Sequence, residues 1–476
     1  MTDLNELTIA LAREKLDARE ISSEELTKAC LDQTRSLNGA LNAVIEVYED
    51  EAMKSARAAD KRRDAGERLG VMDGIPMALK DNLLNQGHVV TSGSKILAGH
   101  VSAYDATVVR KLREQGAVFI GRANMDEFAM GSSTEHSAYG PTKHPRDPER
   151  VPGGSSGGSA VAVAADMVLA ALGSDTGGSI RQPAALCGIV GLKPTYGRVS
   201  RYGLMAMASS LDQIGPMTKT AEDAALLLQA IQGEDKADQT TSDAVPFIPD
   251  WRENLAGLRI GLPRQAWGAG MHPEVRASVE EAVGKLKALG AEVKEVDLPY
   301  ADEALAVYYV IMPCEVSANL ARFDGMRYGL RKESLPLYET YARSRAEGFG
   351  PEVRRRILLG TFALSRGYYD AYYVQAKRVQ TLIRNAYAQA FKEVDCLITP
   401  TAPNPAFKIG EKTDDPLTMY LEDVFTVGVN VAGLPAVSVP AGMADGLPVG
   451  MQIIGKHFDE AGILAVARAY EETIGK

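Results

Sequence analysis

Residues 153–183 read GGSSGGSAVAVAADMVLAALGSDTGGSIRQP, which is two Gly/Ser loops separated by apolar chain. The apolar run from Val168 to Leu172 predicts a buried strand that leads into the second loop, and a helix is expected before it. Similar short apolar runs, Ile75 to Leu79 and Ala117 to Ile120, alternate with helical patterns on the N-terminal side. Such alternation is typical of α/β proteins. It predicts a largely parallel sheet covered by helices.

The first 66 residues predict helices. Ser22 and Glu25 form a capping-box pattern before an apolar stretch, and Asn38-Gly39 supplies a stop signal. A second helix is expected from about Tyr48 to Asp64. We therefore divide the chain into an N-terminal helical region packed on the core, residues 1–66, and one large domain that carries the chemistry, residues 67–476.

The remainder of the chain continues the alternation of helices and strands. The clearest helix is expected from Asp105 to Gln115. The polar segment from Gly233 to Asp250 predicts a surface connection. After it, apolar runs from Leu258 to Leu262 and from Ala291 to Val296 flank a helix expected from Pro273 to Leu289.

Charge and cysteine content exclude several classes of protein. The 476 residues carry a net charge of −10, with a pI near 5.3, which argues against the chain holding a polyanion by itself. The four cysteines form no CxxC pair, so neither a zinc site nor a disulfide framework is expected. The start, MTDLNELTIALAREKL, lacks the basic and apolar parts of a signal peptide. We expect a cytoplasmic protein that does not span a membrane.

The Gly/Ser loops do not match the common phosphate-binding or hydrolase motifs. No GxxxxGK[ST] sequence is present, which argues against a phosphate-binding loop. The pattern GxSxG occurs twice, centred on Ser155 and Ser156, but the usual catalytic triad also needs a histidine. None of the six histidines lies in a sequence that suggests this role.

A serine nucleophile without histidine needs another base, and Lys80 is the candidate. It follows the apolar run Ile75 to Leu79, and burial there would favour its neutral form. A surface lysine at the end of the strand is the alternative. Ser179 would lie at a helix N-terminus, where free N–H groups of residues 176–179 could converge on an oxyanion. The alternative for Ser179 is an ordinary helix cap.

These residues closely resemble the amidase signature family. The resemblance is carried by Lys80, by GGSSGGS with Ser155, by GSDTGGSIRQPAALCGIVGLKPTYGRVS with Ser179, and by later motifs: PTAPNPAF, GLPAVSVPAG and GLPVGMQIIG. It implies a large mixed, mostly parallel β-sheet covered by helices on both faces, with N-terminal helices. It also implies a Ser–cis-Ser–Lys triad of Ser179, Ser155 and Lys80 that works through an acyl-enzyme. The expected oxyanion hole is the set Thr176, Gly177, Gly178 and Ser179.

A tyrosine-rich region indicates one branch of that family. Residues 300–373 hold ten of the 18 tyrosines, which suggests a pocket rim or a protein interface, although core packing could account for some of them. NLARFDGMRYG (319–329) and GFGPEVRRRILLGTFALSRGYYDAYYVQAKRV (348–379) resemble the branch that serves tRNA-dependent amidotransferases. NLARFDGMRYG is where we expect the subunit interface.

That resemblance implies a glutaminase that supplies ammonia to a partner. The partners would be B and C subunits in a heterotrimer, with misacylated tRNA bound mainly through the B subunit. ATP and Mg would act in the partner, and no cofactor or metal is expected in this chain. The product would be Gln-tRNA(Gln) and possibly Asn-tRNA(Asn). A stand-alone amidase for small aliphatic or aryl amides is the alternative.

Free glutamine is a zwitterion, so its recognition should pair an arginine with its carboxylate and an acid with its amine. By resemblance these are Arg356 and Asp423, with Gly131 and Tyr309 also in the substrate site. Arg354 and Arg355 are neighbours that a shift of register would substitute for Arg356. An arginine trio on a helix can also be a solvated face with exposed ion pairs.

Overall fold

The computed structural model describes residues 3–242, 247–251, 254–268 and 270–475. Within these ranges eleven strands form a single sheet. The strands are β1 (Val44–Val47), β2 (Pro76–Lys80), β3 (Val118–Ala123), β4 (Ala170–Asp175), β5 (Val190–Lys193), β6 (Gln213–Thr218), β7 (Arg259–Pro263), β8 (Glu292–Val296), β9 (Cys396–Pro400), β10 (Ala436–Ala444) and β11 (Leu447–Ile454).

Helices occupy most of the connections between the strands. They are α1 (Ile9–Asp17), α2 (Ser23–Leu41), α3 (Glu49–Asp64), α4 (Thr107–Glu114), α5 (Gly157–Ala164), α6 (Arg181–Cys187), α7 (Ala221–Ile231), α8 (Pro273–Ala288), α9 (Ala304–Asn319), α10 (Leu337–Gly348), α11 (Pro351–Ala363), α12 (Gln375–Glu393), α13 (Pro416–Tyr420), α14 (Val427–Ala432) and α15 (Glu460–Thr473). A π-helical turn, Asp370–Val374, leads into α12.

The sheet is mixed, with the strand order β1-β3-β2-β4-β6-β5-β10-β11-β9-β7-β8. Only β2–β3, β2–β4, β7–β8 and β7–β9 pair in parallel, and the six other pairings are antiparallel among the described strands. The prediction of a mixed α/β sheet is confirmed, but the prediction that it is mostly parallel is wrong. One reason is the two-residue turn of Asp445 and Gly446, both with positive φ, which joins β10 and β11 as an antiparallel hairpin.

Helices cover both faces of the sheet, as predicted. Alternate residues of a strand point to opposite faces. Leu397 and Ile454 accordingly belong to one hydrophobic cluster, while Ile398 and Ile453 belong to another. The first cluster joins the sheet to α9, α11, α12 and α14, and the second joins it to helices that include α2, α7, α8 and α15.

The N-terminal region contains a strand as well as the predicted helices. The predicted capping box is present, because Ser22 accepts a hydrogen bond from the Glu25 backbone at 3.1 Å and its own N–H donates to the Glu25 carboxylate at 2.8 Å. Helix α2 continues past the expected stop to Leu41, and Asn38 instead binds the backbone of Val44 at 2.8 Å. Strand β1 then pairs antiparallel with β3. The domain boundary at residue 66 stays a prediction.

Most of the other predicted elements are found with ends shifted by one to three residues. The helix expected from Asp105 to Gln115 is α4, and the helix expected from Pro273 to Leu289 is α8. Part of the predicted connection, residues 243–246, lies outside the described residues. Residues 233–242 of that connection lie largely at the surface, in agreement with the prediction.

One helical stretch of the described chain has the length and hydropathy of a membrane span. It runs from Ala304 to Arg322 with a mean hydropathy of 1.4, and 56% of its most apolar window is buried. Ile311 and Met312 are fully buried in the hydrophobic cluster that contains α9. The apolar character of this helix is accounted for by packing in the core.

Candidate active site

The predicted triad residues come from three adjacent elements. Lys80 is the last residue of β2, and Ser179 lies in the turn between β4 and α6. Because β2 and β4 are parallel neighbours, their C-terminal ends meet at one edge of the sheet. Ser155 lies in the loop before α5, and the peptide bond between Gly154 and Ser155 is cis, as the resemblance implied.

Lys80 is fully buried and surrounded by serine hydroxyls. Its Nζ lies 2.8 Å from Ser155 Oγ, 2.7 Å from Ser156 Oγ and 2.9 Å from Ser174 Oγ. Burial lowers the pKa of Lys80 to about 7, and nearby carboxylates, of which Asp126 has the largest influence, oppose the shift. The expectation that Lys80 is buried is confirmed, and the alternative of a surface lysine is wrong. Its role as the base stays a prediction.

Ser179 adjoins this cluster through the backbone. Its carbonyl accepts a hydrogen bond from the Ser156 N–H at 3.2 Å, and its side chain retains a small exposure, with 8% of the residue accessible. Within the described residues the Ser179 hydroxyl makes no hydrogen bond to Ser155. The structure therefore brings Lys80 and Ser155 into contact, and a proton relay would further require Ser179 to turn its hydroxyl toward Ser155.

Asp175 shapes the turn that presents Ser179. Its carboxylate accepts the N–H of Gly178 at 2.8 Å and of Ile180 at 3.1 Å, and it receives two bonds of 3.0 Å from the Arg181 guanidinium. Burial alone would raise the pKa of Asp175, but Arg181 holds it well below its usual range. An ionised carboxylate thus fixes the backbone on both sides of the serine.

This arrangement corrects the predicted oxyanion hole. The Gly178 N–H is already bound to Asp175, so it is not available to a substrate oxyanion. Among the described residues, the N–H groups of Thr176, Gly177 and Ser179 have no protein hydrogen-bond partner. Helix α6 begins at Arg181, two residues beyond Ser179, so these donors belong to the turn rather than to the helix terminus.

The turn also needs glycine at two positions for steric reasons. A Cβ on Gly177 would lie 2.6 Å from the ring of Tyr308. Gly178 has a φ of +143°, and a Cβ there would lie 2.3 Å from Thr426 Oγ1. The backbone around Ser179 is therefore packed directly against α9 and the segment that precedes α14.

The structure also brings together the predicted substrate-binding residues. The Asp423 carboxylate accepts hydrogen bonds from Ser132 Oγ at 2.9 and 3.0 Å and from Tyr309 Oη at 3.1 Å. The Arg356 guanidinium lies 5.5 Å from the centre of the Tyr309 ring. Gly131 lines a cleft together with Arg356. Arg356 and Asp423 are therefore a buried cation and a buried acid that both contact Tyr309.

Burial distinguishes the three neighbouring arginines. Arg356 is buried, whereas Arg354 and Arg355 are exposed on α11. Arg355 also lines the cleft that contains Arg356, but Arg356 alone of the three is buried. The prediction of Arg356 agrees with this geometry, and a fully solvated arginine face does not.

Three further side chains at this pocket were not predicted. Glu352 accepts a hydrogen bond from Arg356 Nε at 2.7 Å and another from Tyr420 Oη at 3.0 Å. Burial alone would raise the pKa of Glu352, but Arg356 keeps it below its usual value. The spacing of four residues between Glu352 and Arg356 on a helix was a signal for this pair. The contacts of Ser132 and Tyr420 join distant parts of the chain and had no such signal.

Asp423 differs electrostatically from the other acids of the site. Burial raises its pKa to about 7, and the bond from Ser132 and the charge of Arg356 oppose that shift. An acid with this pKa is readily ionised by a cation that enters the pocket. It can therefore hold a substrate ammonium group at neutral pH.

Comparison with known proteins identifies the family of this chain. A family model described as Amidase matches residues 25–464. The A subunit of glutamyl-tRNA(Gln) amidotransferase from Moorella thermoacetica is 54% identical over 475 residues, which is 99% of this chain and 97% of that protein. The corresponding subunit from Roseiflexus castenholzii is 56% identical over 99% of this chain and 96% of that protein.

Solved structures show the same fold. The crystal structure of the glutamyl-tRNA(Gln) amidotransferase A subunit from Thermotoga maritima has a TM-score of 0.81 and 45% identity, and the match covers 99% of this chain and 96% of that one. A peptide amidase from Stenotrophomonas maltophilia has a TM-score of 0.83 and 32% identity, covering 98% and 96%. By sequence and by structure, the chain belongs to the amidase family.

Proposed function

We propose that this chain is the glutamine-hydrolysing A subunit of a glutamyl-tRNA(Gln) amidotransferase. The observation that carries the proposal is the pair of a buried cation, Arg356, and a buried acid, Asp423, which both contact Tyr309. A zwitterionic amino acid needs both charges for recognition, whereas a small aliphatic or aryl amide needs neither. Similarity over nearly the full length of proteins named as the A subunit supports the same assignment.

In the proposed first step, Ser179 Oγ attacks the side-chain amide carbon of glutamine. Ser155 takes the proton of Ser179 and passes its own proton to the neutral amine of Lys80. The carbonyl oxygen becomes an oxyanion, which the free N–H groups of Gly177 and Ser179 stabilise. The free N–H group of Thr176 is a third available donor. The contact of 2.8 Å between Lys80 and Ser155 supplies one part of this relay.

In the second step the C–N bond breaks and the leaving nitrogen takes a proton from Ser155. Lys80 then returns a proton to Ser155. Ammonia leaves and a glutamyl ester remains on Ser179. Water then attacks that ester with the same residues as base and acid. The products are glutamate and ammonia, and the three side chains return to their starting protonation.

Partners, cofactors and location follow from the same proposal. B and C subunits would complete a heterotrimer, and the B subunit would bind the misacylated tRNA and use ATP with Mg to accept the ammonia. This chain would need no cofactor or metal of its own. It would work in the cytoplasm, and Gln-tRNA(Gln) would be the product, with Asn-tRNA(Asn) as a second one where the organism uses it.

The test compares ammonia release from glutamine with release from small amides such as propionamide. We expect the chain with its partner subunits, ATP and Glu-tRNA(Gln) to use glutamine strongly in preference. Ser179→Ala should abolish hydrolysis of both kinds of substrate while the fold, followed by circular dichroism, is retained. Ser137→Ala is the control. The Ser137 hydroxyl donates a hydrogen bond to Asn124 and takes no part in the relay. Faster hydrolysis of small amides by the isolated chain would identify a stand-alone amidase instead.

A further inference from the structure

Glu127 is a buried acid that the proposed reaction does not use. It begins the short turn Glu127–Ala129 that follows β3, and only 3% of the residue is exposed. Its carboxylate accepts one hydrogen bond from the N–H of Gly350 at 2.8 Å and another from the hydroxyl of Ser94. A buried carboxylate needs such partners, and one of them places Glu127 at the start of α11.

The bond to Gly350 fixes the beginning of α11. Gly350 immediately precedes this helix, and Pro351 at its first position has no N–H. In a capping box, an acid inside the helix accepts the N–H of the residue that precedes the helix. Here an acid 223 positions away in the sequence takes that place. Negative charge is favourable at a helix N-terminus, so ionised Glu127 should hold α11 more firmly than neutral Glu127.

The fit between Glu127 and the start of α11 is close. A Cβ on Gly350 would lie 2.4 Å from Glu127 Oε2. The neighbouring residues add an aromatic contact, because the ring centres of Phe128 and Phe349 lie 5.8 Å apart. The turn after β3 and the start of α11 are therefore packed directly on each other. Since close-packed segments transmit displacements, a change at Glu127 is expected to move the first turn of α11.

Both charges of the proposed glutamine site are connected to these two segments. Helix α11 carries Glu352 in its first turn and Arg356 in its second. On the other side, the chain continues from Glu127 to Ser132, which donates a hydrogen bond to the Asp423 carboxylate at 2.9 Å. Glu127 is thus connected to the arginine through α11 and to the acid through Ser132.

Glu127 can exchange a proton near neutral pH. Burial raises its pKa to about 7, and the bonds from Ser94 and Gly350 and the charges of Arg354 and Lys95 oppose that shift. A cleft of about 430 Å³ reaches the residue and gives its carboxylate a path to water. The other ionisable groups that line this cleft are Lys95, Glu135, His136, Glu347, Glu352 and Arg354.

We propose that Glu127 is a positioning residue for glutamine, which in its ionised form holds the start of α11 so that Arg356 is placed to bind the substrate carboxylate. The inference rests on the function proposed above. Within the described chain the Glu127 carboxylate bonds to Gly350 and Ser94 and to neither charge of the substrate site, so it is not a catalytic residue. Protonation removes the charge at the helix terminus and turns one oxygen into a donor, which weakens the bond to Gly350 or Ser94. The affinity for glutamine should therefore fall as the pH drops through about 7.

The experiment compares two glutamate-to-glutamine substitutions in the same cleft. Glu127→Gln keeps the size of the side chain but offers one acceptor to two donors. Glu347→Gln is the control, because Glu347 lines the same cleft and pairs with Lys332 and Arg343. KM and kcat for glutamine are measured at about pH 6 and about pH 8.5 with each variant in complex with its partner subunits. At the higher pH, Glu127→Gln should raise KM about tenfold and change kcat less than about twofold, since a hydrogen bond to a charged group is lost. At the lower pH wild-type Glu127 is itself mostly protonated, so the difference in KM should shrink to less than about threefold. Glu347→Gln should match wild type at both.

The ratio of KM between Glu127→Gln and wild type isolates the effect of Glu127, because the titration of Asp423 is common to both proteins. A ratio that is near one at the higher pH, or that is the same at both pH values, would overturn the inference while the glutaminase assignment stands. Hydrolysis of propionamide by the same complexes reports on bond cleavage, and an equal loss of kcat/KM there would show a general structural defect and also contradict the inference. If Glu127→Gln does not fold, Gly350→Ala should show the same pH-dependent ratio, because its Cβ would displace the carboxylate. Failure of wild type to hydrolyse glutamine in any complex would instead overturn the proposed function.

Discussion

Lys80 shares its buried setting with Lys193, and the contrast between them shows what a lysine base requires. Burial lowers the pKa of each to about 7. The amine of Lys193 donates to the Pro194 carbonyl at 2.9 Å, and a carbonyl cannot relay a proton. The amine of Lys80 contacts serine hydroxyls, including Ser155 at 2.8 Å. A relay partner, rather than the lowered pKa alone, distinguishes Lys80.

This contrast predicts the pH dependence of hydrolysis. The base acts in its neutral form, so kcat/KM for a neutral small amide should rise about tenfold per pH unit below 7 and level off above it. The pKa of about 7, instead of the ordinary lysine value of 10.5, sets this midpoint. A neutral amide is used because the titration of Asp423, whose pKa is also raised to about 7, would affect glutamine binding.

Two variants check the assignment of that titration. Lys80→Arg should be inactive at every pH, because a guanidinium stays protonated. Lys193→Met, once shown to be folded, should keep the wild-type profile. Activity in Lys80→Arg, or a rise centred above pH 9, would contradict a neutral Lys80 as the base.

The sequence predicted some residues of the site and missed others. The resemblance to the amidase signature family pointed to Lys80, Ser155, Ser179, Arg356 and Asp423, of which only Asp423 lies outside the stretches that carry the resemblance. The oxyanion hole was over-predicted, because which N–H groups are free depends on where a side-chain carboxylate folds back. The contacts of Ser132 with Asp423 and of Tyr420 with Glu352 span 291 and 68 positions of the chain. Such pairings are set by tertiary packing and leave little local pattern.

At the level of elements, a substitution on α11 should affect substrate binding without affecting bond cleavage. Arg356→Ala should raise KM for glutamine by about 30-fold or more, since removing one partner of a buried charged contact costs about 2–5 kcal/mol. Part of that cost comes from Glu352, which would keep only the exposed Arg355 as a cationic partner. Hydrolysis of a small activated amide should change little. The measurement is steady-state kinetics with both substrates.

Arg355→Ala is the matched control for Arg356→Ala. Arg355 also pairs with Glu352, but it is exposed on the same helix. Its removal should change KM for glutamine less than threefold, because exposed ion pairs contribute at most about 1 kcal/mol. A larger effect for Arg355 than for Arg356 would move the carboxylate site by one residue.

The turn between β4 and α6 is a second element with a measurable electrostatic role. Asp175→Asn would leave the guanidinium of Arg181 buried without its anion, which should destabilise the protein by about 3–5 kcal/mol at pH 7. The folded-state pKa of Asp175 lies below its unfolded value, so its stabilisation is present above the usual carboxylate range and is lost as pH falls. Urea unfolding should therefore show a difference between variant and wild type that shrinks from pH 7 to pH 3. A constant difference would argue against an ionised Asp175.

The pairing of whole elements was less predictable than their existence. Most strands were visible as apolar runs, but a strand's direction depends on its neighbour in space. The alternation of strands and helices favoured parallel pairing, and yet β4 pairs antiparallel with β6, and β5 pairs antiparallel with both β6 and β10. The Asp445-Gly446 dipeptide was the local signal for one antiparallel hairpin.

At the scale of the whole molecule, the N-terminal region is part of the main hydrophobic core. Ile9, Leu16 and Leu26 are fully buried and belong to the same cluster as the sheet residues Ile398 and Ile453. Strand β1 continues the sheet beyond β3. The first 66 residues therefore share one hydrophobic core and one sheet with the rest of the chain.

Removal of residues 1–66 should for this reason prevent folding of the remainder. Burial of each large apolar side chain contributes about 1.5–3 kcal/mol, so loss of Ile9, Leu16 and Leu26 alone removes roughly 5–9 kcal/mol. That amount is comparable with the net stability of a typical domain, about 5–15 kcal/mol. The truncation would also expose the edge of β3, and unpaired strand edges promote aggregation. We expect residues 67–476 to be insoluble or to lack a cooperative unfolding transition, whereas a control without residues 1–3 should unfold as wild type does. A soluble truncated chain with full hydrolysis of a small amide would show that residues 67–476 form an independent domain.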